Sequence, residues 1–244
     1  MGKGGASAMM GFNSPMTLAF FLFAFAAGEA MGQTALHGNT PPDNVQSRVL
    51  VLSPKAATRP DDTHAALALS NTSLSGKITF RGRVRTIQQL RTGSPPNPWE
   101  CAWLVWNHHG DHFYYLALKT NGWEIGKRDS VYPGHQRFLK TGEGAHELGV
   151  WYEFEITQIE NEISVSINGV EVARLTDIER PYTFGKFGFY TEDAVIQVDD
   201  ITAPFKEDFE DHLLEVHRRD GHAIKNWFMV FLGQGYGEVA NTNK

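Results

Sequence analysis

A single cysteine, Cys101, stands in 244 residues. No disulfide can form within the chain, so its fold rests on burial rather than cross-links. Basic residues are outnumbered, 22 Lys and Arg against 28 Asp and Glu, for a net charge of −6. That balance excludes nucleic acid as a general partner, because phosphate backbones ask for a basic surface. Zinc-finger spacing, a P-loop and a dinucleotide fingerprint are all missing. Helical periodicity is scarce before Asp208. Long apolar runs are rare too: the longest, residues 18–27, falls short of the roughly 20 residues that a membrane-crossing helix needs.

That run belongs to a leader. Residues 1–32 have the order of an export signal, with Lys3 as the early basic residue and residues 18–27 as the apolar h-region. Ala30 and Gly32 place cleavage after Gly32, or after Ala30. An uncleaved anchor, or a start at Met9, Met10 or Met16, is the alternative. The expected product is secreted or periplasmic, has no stable membrane span, and is about 210 residues long, enough for one sizeable β domain.

Within residues 99–128 lie four tryptophans, two tyrosines and three histidines. Ala102, Leu104 and Trp106 alternate with Cys101, Trp103 and Val105, the period of a strand. His108-His109-Gly110-Asp111-His112 supplies turn chemistry, and residues 113–119 resume the alternation. Asn121-Gly122 predicts a hairpin, with Trp123, Ile125 and Lys127 on its second strand. Upstream, residues 33–64 are rich in Pro, Asn, Asp and Thr and read as a loose lead-in with one short strand at Val49-Leu50-Val51-Leu52. Residues 66–69 and 77–85 read as strands separated by the turn-rich residues 70–76. On the second, Ile78, Phe80 and Val84 share one face while Arg81, Arg83 and Arg85 form a basic row on the other. Residues 132–147 are expected to be loop.

Trp151-Tyr-Glu-Phe-Glu-Ile156 and Glu162-Ile-Ser-Val-Ser-Ile167 alternate, and Asn168-Gly169 turns the latter into residues 170–175. Residues 184–190 and 194–201 give two more strands. Short strands at regular spacing predict an all-β, antiparallel two-sheet jelly-roll sandwich over residues 65–204. A short C-terminal helical and apolar extension over 205–244 follows: Phe209, Leu213 and Val216 have helical spacing, and the apolar residues 227–232 are expected to dock on the sandwich.

Five segments, in order, carry a resemblance. They are Asp111-His-Phe-Tyr-Tyr-Leu116, Trp151-Tyr-Glu-Phe-Glu-Ile156, Ser166-Ile-Asn-Gly-Val-Glu-Val172, Phe184-Gly-Lys-Phe-Gly-Phe-Tyr190 and Val198-Asp-Asp-Ile201. The stretch from Leu67 to Ala203 resembles the concanavalin A-like jelly rolls of the laminin-G and 3-keto-disaccharide-hydrolase-like type. The resemblance implies two packed antiparallel sheets, with glycans met on the concave outer face. The Glu-x-Asp-x-x-Glu signature of family-sixteen glucanases, which share this fold, is absent, and so are the alginate-lyase motifs. No catalytic residue is therefore carried over. Glu153 and Glu155 would share a sheet face, but one solvated polar face is the default for an antiparallel sheet.

Two constellations remain. Imidazoles and a carboxylate at His108, His109, Asp111 and His112 could bind a transition metal. Asp193, Asp199 and Asp200 with Glu192 could help hold calcium. For ligand binding, Tyr115 and Lys119 face outward if Tyr114, Leu116 and Leu118 face the core. Trp106, His109, Trp123 and Lys127 are expected neighbours, with Arg81, Arg83 and Arg85 on the same sheet. Aromatic faces and arginine forks suit a polymeric glycan carrying carboxylate or sulfate. Alternatively, most of these aromatics are core and the arginines only solubilise a strand. Three functions follow: carbohydrate recognition, glycoside cleavage similar to that of 3-keto-disaccharide hydrolases, and an adhesion module that oligomerises through its tail.

Overall fold

The computed structural model describes residues 46–243, so the leader and residues 33–45 of the lead-in lie outside the described residues. The first six strands are β1 (Gln46–Ser53), β2 (Ala65–Ser75), β3 (Ile78–Gln89), β4 (Trp103–His109), β5 (His112–Lys119) and β6 (Gly122–Arg128). They are followed by β7 (Gln136–Gly142), β8 (Tyr152–Ile159), β9 (Glu162–Ile167), β10 (Val170–Thr176), β11 (Phe184–Glu192) and β12 (Ala194–Thr202). The tail adds β13 (Lys206–Glu207), β14 (Glu215–His217), β15 (His222–Ile224), β16 (Trp227–Phe231) and β17 (Tyr236–Asn243). Sheet A runs β10-β9-β8-β3-β12-β1-β17-β14, with β13 paired to β12; sheet B runs β15-β16-β2-β11-β4-β5-β6-β7. All the pairings are antiparallel. The molecule is the two-sheet antiparallel sandwich that the strand pattern predicts.

Alternation builds the core between the sheets. Ile78, Phe80 and Val84 of sheet A meet Leu104, Trp106, Tyr114, Leu116 and Phe189 of sheet B in one buried cluster. Asn168 (φ 50°) and Gly169 (φ 76°) make the tight turn expected between β9 and β10. The β5–β6 hairpin also forms, but Lys119 pairs with Gly122, so Thr120 and Asn121 occupy its turn.

Three local expectations are corrected. The helix proposed through Phe209 is absent; among the described residues the only helical element is one 3₁₀ turn at Pro133–His135. Asp208 accepts the Glu210 amide, Glu207 accepts the Phe209 amide, and Phe209 itself has φ 59°, a run of local turns no helix can pass. The tail is instead sheet, and residues 227–232 do dock on the sandwich as expected: β16 pairs with β2 and β17 with β1. Residues 136–142 form edge strand β7 rather than loop. The supposed turn at 70–76 is interior to β2 as far as Ser75.

Candidate functional site

Arg81, Arg83 and Arg85 do share the outer face of β3, but that face belongs to sheet A. Each is already engaged. Arg81 pairs with Glu155 at 3.6 Å, and Arg83 bridges Asp199 and, at 2.8 Å, Asp200. Arg85 donates twice to Gln197 Oε1, at 2.9 and 2.7 Å. The Arg83 and Arg85 guanidiniums lie 4.7 and 4.5 Å from the Trp151 ring. Burial, then the Arg83 charge, hold the Arg85 pKa below its ordinary value. An open groove of about 360 Å³ crosses this face between Arg81, Arg83, Glu153, Glu155, Ser166 and Asp200. Its arginines face carboxylates of the protein itself.

The remaining candidates divide between the two faces of sheet B. Trp106, Trp123 and Lys127 point inward and are buried. Trp106 Nε1 donates to Gln158 Oε1 at 2.8 Å. Lys127 Nζ donates to Asp177 at 2.7 Å and to the Glu179 carbonyl, ringed by Tyr114, Tyr132 and Tyr182. Tyr115 and Lys119 point outward, yet Tyr115 is only 1 % exposed. The single aromatic and basic face pooled from the sequence is therefore not formed. A period of two cannot say to which sheet a strand belongs.

The histidine cluster is split by backbone geometry. Asn107 has φ 52°, and the β4–β5 register slips between Trp106 and His109. His108 is thereby turned to the outer face, where it stacks on Phe113 with centroids 5.2 Å apart. Burial lowers its pKa to about 4, so the imidazole is neutral at neutral pH. His109 and His112 face each other at the hairpin end, 5.6 Å between ring centroids, against Phe184 and Tyr182 respectively. Asp111 reaches His112 Nδ1 at 3.5 Å, and its pKa is lowered first by a hydrogen bond from Ser130. These four residues do not assemble a metal-ligand set.

Among the described residues, Glu207, Asp211 and His212 alone bring three such ligand atoms within 4.8 Å of one another. That group is closed internally: Lys225 grips Asp211 at 2.7 Å, while His212 and Asn226 bond Glu207. The calcium candidates do not fit either. Asp199 and Asp200 meet Arg83, Asp193 meets Arg91 at 3.0 Å, and Glu192 accepts from Tyr190.

What the sequence reading missed is the outer face of sheet B. A second buried cluster lies there, with Leu67, Leu69, Trp103, Val105, Phe113, Tyr115, Ala117 and Tyr190. Polar groups thread through it. The Tyr115 hydroxyl donates to Glu124 Oε1 at 2.9 Å and accepts from Gln136, and Lys119 Nζ meets Glu124 Oε2 at 3.0 Å. Gly126 is required beneath Tyr115, because a Cβ there would overlap the phenol. Trp103, Phe113, Tyr115, Arg128, Tyr190 and Glu192, with His135 and Gln136 at the rim, line a pocket of about 20 Å³. That is room for one hydroxyl-sized group.

Glu192 closes the foot of this pocket. Burial raises its carboxyl to about 7, against the Tyr190 hydrogen bond, and nearby Asp193 and Glu100 add to the rise. Arg91 holds those two neighbours, donating to Glu100 and to Asp193 and to the Arg59 and Asp62 carbonyls. A buried carboxyl with a perturbed pKa in an aromatic cleft is a mark of functional sites. The sequence held a signal for this face: Glu124, Gly126 and Arg128 fall at period two on one strand, and so do Gly188, Tyr190 and Glu192 on another.

No family model and no curated protein matches the chain. Solved structures of similar shape include the carbohydrate-binding module CBM66 from Bacillus subtilis, 14 % identical, TM-score 0.49, covering 68 % of this chain and 98 % of that one. A variant of human galectin-16 is 15 % identical, TM-score 0.41, over 56 % of this chain and 92 % of that one. Domains LG4-5 of the mouse laminin alpha1 chain are 11 % identical, TM-score 0.44, over 76 % of this chain and 52 % of that one.

Proposed function

We propose that this is an exported carbohydrate-recognition protein that holds a polymeric glycan against the outer face of sheet B. One observation carries the reading. An outward sheet face is by default solvated and polar, whereas on this one Trp103, Phe113, Tyr115 and Tyr190 pack into a buried cluster and line a small pocket at the Glu192 carboxyl. Aromatic edges with a few converging hydrogen-bonding groups are what a ligand site requires. The pocket receives one substituent of a sugar, while Phe138, Arg128 and His135 offer a rim for the rest of the polymer. Export rests on the order of residues 1–32 and is tested separately, by sequencing the amino terminus of the protein recovered outside the cytoplasm.

The reading is tested by titration calorimetry of the purified protein against a panel of neutral and acidic polysaccharides. Glu192→Gln and Glu124→Gln should weaken whichever glycan binds by about tenfold, the scale of a lost charged hydrogen bond. Arg81→Ala, on the opposite sheet, should leave it unchanged. Equal affinity in both carboxylate variants, or loss in Arg81→Ala, would move the site elsewhere.

Glycoside cleavage is a second reading, favoured by the same carboxyl. A group that titrates about 7 is matched to general acid or base work near neutrality. Release of reducing ends from a bound polymer, abolished by Glu192→Gln, would establish it. Binding without release leaves recognition alone.

A further inference from the structure

We infer that the ligand of the sheet B face is an anionic glycan, with a uronate carboxylate seated on Arg128 and the chain continuing towards Lys186. This rests on the reading of that face as a glycan site and specifies its substrate class. Arg83, Arg85, Arg91, Arg137 and Lys127 all have carboxylate, amide or hydroxyl oxygen partners. The half-buried Arg128 guanidinium lines the pocket mouth and has no hydrogen bond or ion pair among the described residues. Its charge reaches the Tyr190 hydroxyl, where it opposes the rise in pKa.

The sheet register sets a second cation in line with it. Arg128 pairs with Phe113 across β5–β6, Phe113 stacks on His108, and His108 pairs with Lys186 of β11. Phe187 and Phe189 point into the core, which turns Lys186 to the outer face. Lys186, like Arg128, has no carboxylate partner among the described residues, and its charge helps keep His108 neutral. Three strand spacings separate Arg128 from Lys186, about 14 Å. The row Arg128–Phe113–His108–Lys186 therefore runs across the strands as two cations with the stacked Phe113 and His108 rings between them. Arginine's planar fork takes a carboxylate bidentately, and lysine acts as a point charge beyond it. Glu192 at the pocket foot accepts from, or when protonated donates to, a sugar hydroxyl. A free guanidinium over an aromatic pocket selects an acid from its neutral counterpart, because the neutral one leaves the charge unmatched.

The experiment compares polygalacturonate, alginate and hyaluronate with their methyl-esterified forms, which keep the backbone and mask the charge. The full chain is used, parent against Arg128→Gln, Arg128→Lys and Lys186→Gln. Among the acid forms that bind, esterification and Arg128→Gln should each cost about tenfold, and Lys186→Gln less. Arg128→Lys should recover only part of the affinity, since it restores the charge without the fork. Affinity for the esters should not change in Arg128→Gln. Equal binding of acid and ester, or of parent and Arg128→Gln, overturns the inference. Binding of neutral glycans with refusal of every acid overturns it too, while leaving the glycan reading intact. Silence across neutral and acidic polymers alike overturns both.

Discussion

Glu192 and His108 sit on the same sheet face and carry opposite pH signs. The Glu192 carboxyl rises from 4.5 to about 7 on folding, so the folded chain holds its proton more tightly than the unfolded one. Its contribution is fully present below pH 4.5 and is lost as pH rises through 7, a change of about 3 kcal/mol by linkage. Glu192→Gln removes the carboxyl but keeps an acceptor for the Tyr190 hydroxyl. Urea unfolding across pH 4 to 8 should show the variant gaining on its parent by about that amount. A gap that does not change with pH would mean that Glu192 is solvated. His108 falls from 6.5 to about 4, so its neutral form stabilises the fold above pH 6.5, and that contribution fades as the pH drops through 4. His108→Gln should therefore lose less stability than its parent between those values; an identical acid limb in both proteins would count against burial of the ring.

At the level of elements, the tail decides whether the sandwich is complete. Trp227 of β16 is fully buried among Phe187, Phe189, Phe205 and Phe209, with ring centroids 5.3 to 6.3 Å away. Trp227→Ala should cost about 3–5 kcal/mol. Ending the chain after Lys206 would strip β17 from β1 and β16 from β2, turning the long strands β1 and β2 into uncovered edges. Loss of the cooperative thermal transition is expected; a truncated chain that melts like its parent would show the tail to be an appendage. The same elements show what was legible. Runs with a single buried face and Asn-Gly turns, such as β3 and the β9–β10 hairpin, follow from period two alone. Most of the tail did not, because its strands are only two to eight residues long and Phe209, Leu213 and Val216 happen to fall at helical spacing. β7 was hidden behind Pro133 and Gly134. The histidine cluster failed for another local reason: one residue with positive φ, Asn107, turned His108 away from His109 and His112. Strand period puts Tyr115 on its correct face but does not tell an outward side chain from an exposed one; the packing of Trp103, Gly126 and Gln136 around the ring is what buries it.

Taken as a whole, the molecule has two unlike outer faces and a net charge of −6. On sheet A, Arg81 and Arg83 meet Glu155, Asp199 and Asp200; on sheet B, Arg128 and Lys186 have no carboxylate partner among the described residues and stand beside aromatics. An acidic protein that binds an acidic polymer through two cations should respond weakly to salt. Displacing the counterions condensed on a polyanion contributes a slope in log K against log salt of about −1 per neutralised charge. Two cations therefore set a limit near −2. The overall negative charge works the other way, repelling the polymer at distances beyond the Debye length of about 8 Å at physiological ionic strength, and salt screens that repulsion. The expected slope for a polyuronate is thus shallower than about −2. Arg128→Gln should flatten it further by about 1, and Arg81→Ala on the far sheet should leave it alone. Affinities measured between 50 and 300 mM NaCl would give the number. A slope steeper than about −4 would require a basic surface larger than this face supplies, and would return the sheet A arginines to the site.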